Sequence, residues 1–263
     1  DYRYCWLRDA FFVVRALNTL AEMGTLEGYL RWLQEVVRNA DGGHVQPLYG
    51  LGLEQQLPEW TVSHLAGYRG MGPVRCGNQA FEHHQHDVYG NIVLGAAQAF
   101  HDHRLFQRAG LADFQALERV GEQAWRLHDQ PDAGIWEYRG RKRIHTHSAA
   151  MCWAGLSRAG AIAARLGFSD RAKHWNDLAD TVGGVILERC WNEKRGAFTA
   201  AAARRRMPTR RRAYSTSEAP RDLERRVVFF MVNSERLGLG FVRFASDATA
   251  SETESVRENA GSW

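Results

Sequence analysis

Apolar residues return every third or fourth position, segment after segment, through the first 199 residues of this 263-residue chain. Leu26, Tyr29, Leu30, Leu33, Val36, Val37 and Ala40 form the clearest stripe, and only a helix turns such a set to one side. Asp9 to Met23 repeats the pattern with Phe12, Val13, Leu17, Leu20 and Ala21. Gly24 offers a stop there, and Thr25 a cap for the next helix. Further helices are predicted over about 79–103, 111–127, 146–166 and 169–191, the last capped by Ser169 after Gly167. No strand-like alternation of any length competes, so the predicted fold class is all-α.

Two long connections interrupt the helices. One opens at Asp41-Gly42-Gly43 and runs, punctuated by Gly and Pro, to about Asn78. The other runs from Asp129 to His145 and holds Pro131, Gly134 and Gly140. Loops of this length in a packed domain are usually functional, because the helices around them carry the packing.

Composition excludes several classes. With 44% hydrophobic and 24% charged residues the chain reads as globular rather than disordered. No apolar run is long enough for a membrane span. Cys5, Cys76, Cys152 and Cys190 are far apart and lack C-x-x-C spacing, which argues against a zinc site or a dense disulfide framework. Reduced thiols in a cytoplasmic protein are the expectation. The chain opens Asp1-Tyr2-Arg3-Tyr4, with neither Met nor a basic-then-apolar leader, as a processed end or a fragment edge would.

The formal charge of +4 is unevenly spread. Residues 1–199 hold 22 Lys/Arg and 22 Asp/Glu, whereas residues 200–263 hold 12 and 8. All eleven His and eight of nine Trp precede residue 192. Beyond residue 200 come the block Arg204-Arg205-Arg206-Met207-Pro208-Thr209-Arg210-Arg211-Arg212, an apolar run from Val227 to Val232, and a Ser-, Thr- and Glu-rich end. That end would not pack well alone. The chain therefore divides into 1–199, helical, and 200–263, an atypical Arg-rich and polar tail. The tail is expected to be disordered, shifted in reading frame near residue 200, or joined from unrelated sequence.

Chemistry-bearing residues gather at the ends and loops of the helical part. Tyr4-Cys5-Trp6-Leu7-Arg8-Asp9 sets an aromatic beside an Arg–Asp pair at a helix entry. Gln46-Pro47-Leu48-Tyr49-Gly50, Leu57-Pro58-Glu59-Trp60 and Gly67-Tyr68-Arg69-Gly70 crowd the first long loop. In the second, Glu137 sits between Trp136 and Tyr138. A carboxyl flanked by two rings would be partly desolvated, and its pKa raised toward that of a working general acid. Plainer readings stand beside these. Asp9 suits a helix first turn because the macrodipole favours an anion there. Glu137 could be a surface loop acid, Trp and Tyr clusters usually pack cores, and His145 and His147 fit loop or cap positions.

The order of these segments resembles family 15 of the glycoside hydrolases, the glucoamylase and trehalase type. The resemblance covers about residues 1–199. It rests on Asp1 to Ala10, Gln46-Pro47-Leu48-Tyr49-Gly50, Leu57-Pro58-Glu59, Gly67-Tyr68-Arg69-Gly70, Pro73-Val74-Arg75, Gly77-Asn78, Asp87-Val88-Tyr89-Gly90, Pro131-Asp132, Gly134-Ile135-Trp136-Glu137 and Met151-Cys152-Trp153. It implies an (α/α)6 barrel, of which this chain holds the first half, about six of twelve helices. It also implies an inverting hydrolase that releases glucose from the end of an α-1,4-glucan, an isomaltose-type glucan or trehalose.

By resemblance Glu137 is the general acid, and Arg8 and Asp9 grip the terminal sugar. Trp136 walls the subsite, while Arg75 and Tyr49 add substrate contacts. The implied chemistry uses a disaccharide or oligosaccharide substrate and no cofactor or metal. Tyr138 stands where fungal glucoamylases carry a second acid, which puts the leaving-sugar contacts in doubt. The family's general base, needed about 6.5–9.5 Å from the acid, belongs to the absent half. No segment after residue 199 resembles it; Glu218, Glu224 and Glu235 are the carboxylates available there as replacements.

A different class is the alternative: a non-catalytic helical protein that keeps the sugar pocket, or one that binds anions or nucleic acid through the Arg block. The glycosidase reading expects no nucleic-acid or membrane partner. A half-barrel also predicts fragility. A few hundred Å² of apolar face left wet forfeits about 5–10 kcal/mol, comparable to a domain's net stability. The isolated chain is expected to be marginal, self-associating or partly folded.

Overall fold

The stripes fold as helices. A computed structural model describes residues 3–40 and 42–202; the Arg-rich block and Glu218, Glu224 and Glu235 lie outside the described residues. A two-residue strand β1 (Cys5–Trp6) leads into α1 (Leu7–Thr19) and α2 (Met23–Ala40). The first long loop carries β2 (Leu48–Tyr49), β3 (Trp60–Thr61) and β4 (Arg75–Cys76). Then come α3 (Asp87–Ala96), the single turn α4 (Gln98–His101), α5 (Leu111–Leu127), α6 (Thr146–Arg165) and α7 (Ser169–Cys190). The strands β5 (Trp191–Asn192) and β6 (Ala197–Phe198) pair after α7. Every strand is two residues long, so the described chain is all-α, as expected.

The helices form two rows. α1, α3 and α6 lie side by side in one, and the other packs against it: α2 on α1, α5 across α3 and α6, α7 on α6. The partners are linked to one another by polar contacts. Gln34 of α2 donates to Asp113 of α5 at 3.1 Å, and Arg171 and Trp175 of α7 both reach Glu118 of α5 at 2.7 and 3.1 Å. α3 belongs to the inner row because it has no polar face to show. Asp87, Val88, Tyr89, Gly90, Asn91, Ile92, Val93 and Gly95 are all buried, and a helix covered all round must lie inside. Three inner–outer pairs are half of what a closed six-pair toroid requires.

α3 and α6 approach at backbone distance. A Cβ added to Gly90 would lie 2.0 Å from the Met151 carbonyl oxygen, and one added to Gly155 would lie 2.9 Å from the Gly90 Cα. Nothing larger than hydrogen fits at that crossing. The hydrophobic core spreads from it through Ile92, Val93, Phe114, Leu117, Leu156, Ile162 and Trp175.

Several boundaries move from the expected ones. α1 ends at Thr19 and α2 begins at Met23, with Gly24 inside its first turn. The cap is Glu22, whose carboxylate accepts the Thr25 N–H at 3.0 Å, rather than Thr25 itself. The helix expected over 79–103 is three pieces, because His83 leaves the helical region after a 3-10 turn at Gln79–Glu82. Ser169 is the first residue of α7, not its cap. No described helix is long and apolar enough to cross a membrane.

Candidate active site

The N-terminal ends of all three inner helices carry the polar residues. Arg8 and Asp9 open α1, Asp87 opens α3 just after Gln85 and His86, and His147 and Ser148 lie in the first turn of α6. Helices packed side by side within a row bring their starts together, and each start presents free N–H groups and a partial positive charge. Acids are favoured there. β1 fixes the approach to α1 by pairing with β2, Cys5 against Tyr49 and Trp6 against Leu48, and the Leu7 N–H donates to the Pro47 carbonyl at 3.0 Å.

Arg8 is the hub. Its side chain is 13% exposed and lies 5.9 Å from the Trp6 ring centroid. One guanidinium nitrogen donates to Gln85 Oε1 at 3.0 Å and stands 3.6 Å from the fully buried Asp87 carboxylate. The other reaches Glu137 Oε1 at 3.4 Å and Asp9 Oδ2 at 3.7 Å. One cation thus gathers three carboxylates from two helix starts and a loop. Asp87 also accepts from Asn91 Nδ2 at 3.2 Å, one turn along α3.

Glu137 arrives on a tight turn. Its N–H donates to the Gly134 carbonyl at 3.0 Å, and its own φ is +55°, a left-handed conformation that is uncommon outside glycine. Burial pushes its carboxyl above the ordinary glutamate range; Arg8 pulls the other way, and Asp9 and Asp87 reinforce the rise. The flanking rings do not cause this burial. Trp136 is 75% exposed and Tyr138 38%. Tyr138 instead stacks near His145, with ring centroids 6.1 Å apart, and lies under Arg141. The covering comes from docking the loop onto the starts of α1 and α3.

The sequence-derived residues separate into two sets. Arg8, Asp9 and Glu137 come together. Trp136, next to Glu137, turns an open indole face outward. Arg75 is on β4 at the rim, where it and Arg139 both bind Glu59, at 3.4 and 2.8 Å. Glu59 therefore ties the first long loop to the loop that carries Glu137. Tyr49 is 4% exposed, and its hydroxyl accepts the Gln46 N–H at 3.0 Å. It offers a sugar no ring face, and it lines a cavity of about 310 Å³ that none of the other five borders. His147 is partly covered and is pushed below the ordinary histidine range by burial. Among the described residues no three of His, Cys, Asp and Glu are grouped as a metal ion would need.

A sequence model of glycosyl hydrolases family 15 matches residues 1–228. The chain belongs to that family. The similar curated relatives of this family 15 chain include a trehalase from Mycobacterium tuberculosis, 35% identical over 202 residues, which cover 76% of this chain and 29% of the relative. A trehalase from Mycolicibacterium smegmatis is 32% identical over 201 residues, covering 76% and 30%. One from Thermoplasma volcanium is 27% identical over 201 residues, covering 75% and 31%. The chain thus spans about a third of the length of the curated relatives it matches. No solved structure matches it.

Within the cluster around Arg8, neither Gln85 nor Asp87 was among the residues expected to act. A signal existed for Asp87. It heads Val88-Tyr89-Gly90-Asn91-Ile92-Val93, a mostly apolar helical run whose one polar side chain, Asn91, falls one turn from Asp87, so an acid at its start is drawn into the interior. Nothing local marked Gln85, whose partner Arg8 lies 77 positions away.

Proposed function

We propose that residues 1–199 are the first half of an (α/α)6 catalytic domain and supply the acid side of an inverting α-glucoside hydrolase. Glu137 donates its proton to the glycosidic oxygen as the bond to the anomeric carbon breaks. Water attacks that carbon from the opposite face, activated by a carboxylate outside the described residues. Arg8 and Asp9 hold hydroxyls of the terminal glucose, Trp136 stacks on the sugar, and Arg75 contacts it from the rim. The observation that carries this reading is the position of Glu137, half-buried at 3.4 Å from Arg8 and inclined to hold its proton. An acid catalyst near neutral pH needs that inclination.

Trehalose is the first substrate to test, since the relatives bear the name trehalase; α-1,4- and isomaltose-type glucans follow. Residues 200–263 are proposed as an atypical tail whose first residues still bond beside the start of α6, where the Ala200 carbonyl accepts the Thr146 N–H at 3.2 Å, and whose residues up to 228 fall within the family match. The four cysteines stay unpaired, which suits a cytoplasmic setting.

The test is glucose release by the 263-residue chain from trehalose and, separately, maltotetraose, beside Glu137→Gln. Release that vanishes in the variant supports the acid and locates a base within this chain. Release that persists removes Glu137 from the mechanism. If neither protein releases glucose, glucose binding is compared with Asp9→Asn, whose side chain is 65% exposed: binding lost in that variant supports the sugar grip, and binding unchanged refutes it.

A further inference from the structure

The turn that carries Glu137 is tied on one side by Arg139, which donates to Gln79 at 3.0 Å and to Glu59 at 2.8 Å, and on the other by the base of its loop. The base is closed by a two-way bridge: the Asp132 N–H donates to the Arg143 carbonyl at 2.8 Å, and the Arg143 N–H returns to Asp132 at 3.0 Å. Asp132 is 0% exposed. One carboxylate oxygen, Oδ2, accepts the His86 backbone N–H at 2.9 Å and the Ser148 hydroxyl at 2.7 Å. His86 immediately precedes α3, and Ser148 is in the first turn of α6. The next residues are wedged into the same seam. The Ala133 N–H donates to the His84 carbonyl at 2.9 Å, and a Cβ on Gly134, where φ is +67°, would meet the His145 ring at 2.5 Å.

We propose that Asp132 is a positioning residue for the general acid: its carboxylate staples the 133–143 loop across the starts of α3 and α6, which presses Glu137 against Arg8. This rests on the reading of Glu137 as the acid and adds to it what holds the acid in place. Both helices bound by the staple are inner helices, and both are fixed relative to each other by the Gly90–Gly155 crossing. The staple therefore joins the loop to a rigid frame rather than to a neighbouring loop. Buried charge-assisted hydrogen bonds of this kind are among the stronger ones in proteins.

A second oxygen, Oδ1, accepts no hydrogen bond among the described residues. That separates shape from charge. Asparagine can present its single carbonyl oxygen to both His86 and Ser148, so Asp132→Asn keeps the staple without the charge, while Asp132→Ala removes both.

The measurement is the titration of Glu137 in the full chain, by carboxyl ¹³C NMR on glutamate-labelled protein, with the resonance assigned by Glu137→Gln. The groups that face Glu137 are Arg8, Asp9 and Asp87, and all are left intact. In Asp132→Ala the Glu137 midpoint should fall toward the ordinary value of about 4.3, because the loop loses its tie to the starts of α3 and α6 and admits more water. In Asp132→Asn it should stay near that of the wild type. An Ala variant that unfolds less stably but leaves the midpoint unmoved would make Asp132 a fold residue only, and overturn the proposal. So would equal shifts in Asn and Ala, which would assign the effect to charge. Should the Ala variant not fold, Ser148→Ala decides: it removes one of the two side-chain ties and should move the midpoint the same way, by less, and no movement overturns the proposal. Glucose release plays no part in this readout, so Glu137 can fail as the acid while the staple stands, and the reverse.

Discussion

Replacing Arg8 with Met should destabilise the chain far more than loss of a surface charge would, because it strands Asp87. The pair stands 3.6 Å apart, with Arg8 13% exposed and Asp87 fully buried. At an effective dielectric of about 20, two unit charges at that distance attract by roughly 4–5 kcal/mol before desolvation is counted. Removing one partner of a buried pair leaves the other charge uncompensated, at a measured cost of about 3–5 kcal/mol. Asn91 Nδ2 is the donor left to Asp87 in the variant, one neutral hydrogen bond against a full charge.

For a chain of this size each kcal/mol moves the melting midpoint by about 2–4 °C, so Arg8→Met should lose at least about 6 °C. Asp87→Asn alone should also destabilise, since Arg8 then faces only the more exposed Asp9 and Glu137. The double variant Arg8→Met with Asp87→Asn should be more stable than the sum of the two losses predicts, by about 2 kcal/mol or more. Circular dichroism at 222 nm during urea titration of all four proteins measures this. Additive losses would refute the reasoning, since the two side chains would then act independently and Arg8 would not be the hub of the cluster.

Histidine titration gives a second expectation. Burial holds His83, His84, His86, His101 and His147 below the ordinary histidine value, and His44 down to about 4. The folded chain binds these protons less readily than the unfolded one. Their contribution is therefore complete above about pH 6.5 and is lost as the pH falls through the depressed values. Glu137 and Asp180, both raised by burial, oppose this only lower down, in the carboxylate range. Melting midpoints from pH 8 to 5 should drop below about pH 6.5, and a flat profile would count against it. A third expectation is steric. Gly90→Ala puts a methyl 2.0 Å from the Met151 oxygen and should cost about 1–3 kcal/mol or more, whereas Gly184→Ala in α7 meets nothing within 4 Å and should stabilise by about 0.4–1 kcal/mol. Thermal unfolding of the two variants side by side decides it.

The parts of the fold that were legible in the sequence are those set by local periodicity. α5 runs Leu111–Leu127, as its stripe predicts, and α6 and α7 each end one residue early. What escaped depended on long-range contacts. α3 was merged with its neighbours because Phe81, Val88, Ile92 and Phe100 keep a helical rhythm across His83, where the backbone turns away to reach α3. Arg8, Asp9 and Glu137, which the structure brings together, were picked out because motif order carried them, while Asp132 was quoted only as part of a motif. Its bonds reach residues 46 positions before it and 16 after it, which no local pattern encodes. The pairing of Trp136 and Tyr138 around Glu137 suggested burial for the wrong reason. Sequence neighbours on a turn point apart, and the cover came from α1 and α3.

The backbone contact between α3 and α6 bears on how this scaffold can change. Asp87 lies one turn, and Ser148 one to two turns, from a crossing that already stands at minimum separation, with a glycine on either side. Substituting the packed side chains elsewhere can loosen the core, but it cannot bring these two helix starts closer. Widening them would require larger residues at the crossing, at the expense of the fold. The floor between them is therefore a fixed gauge, and variation at this end of the fold falls to the loops that rise from it, which carry Glu59, Arg75, Trp136 and Arg139.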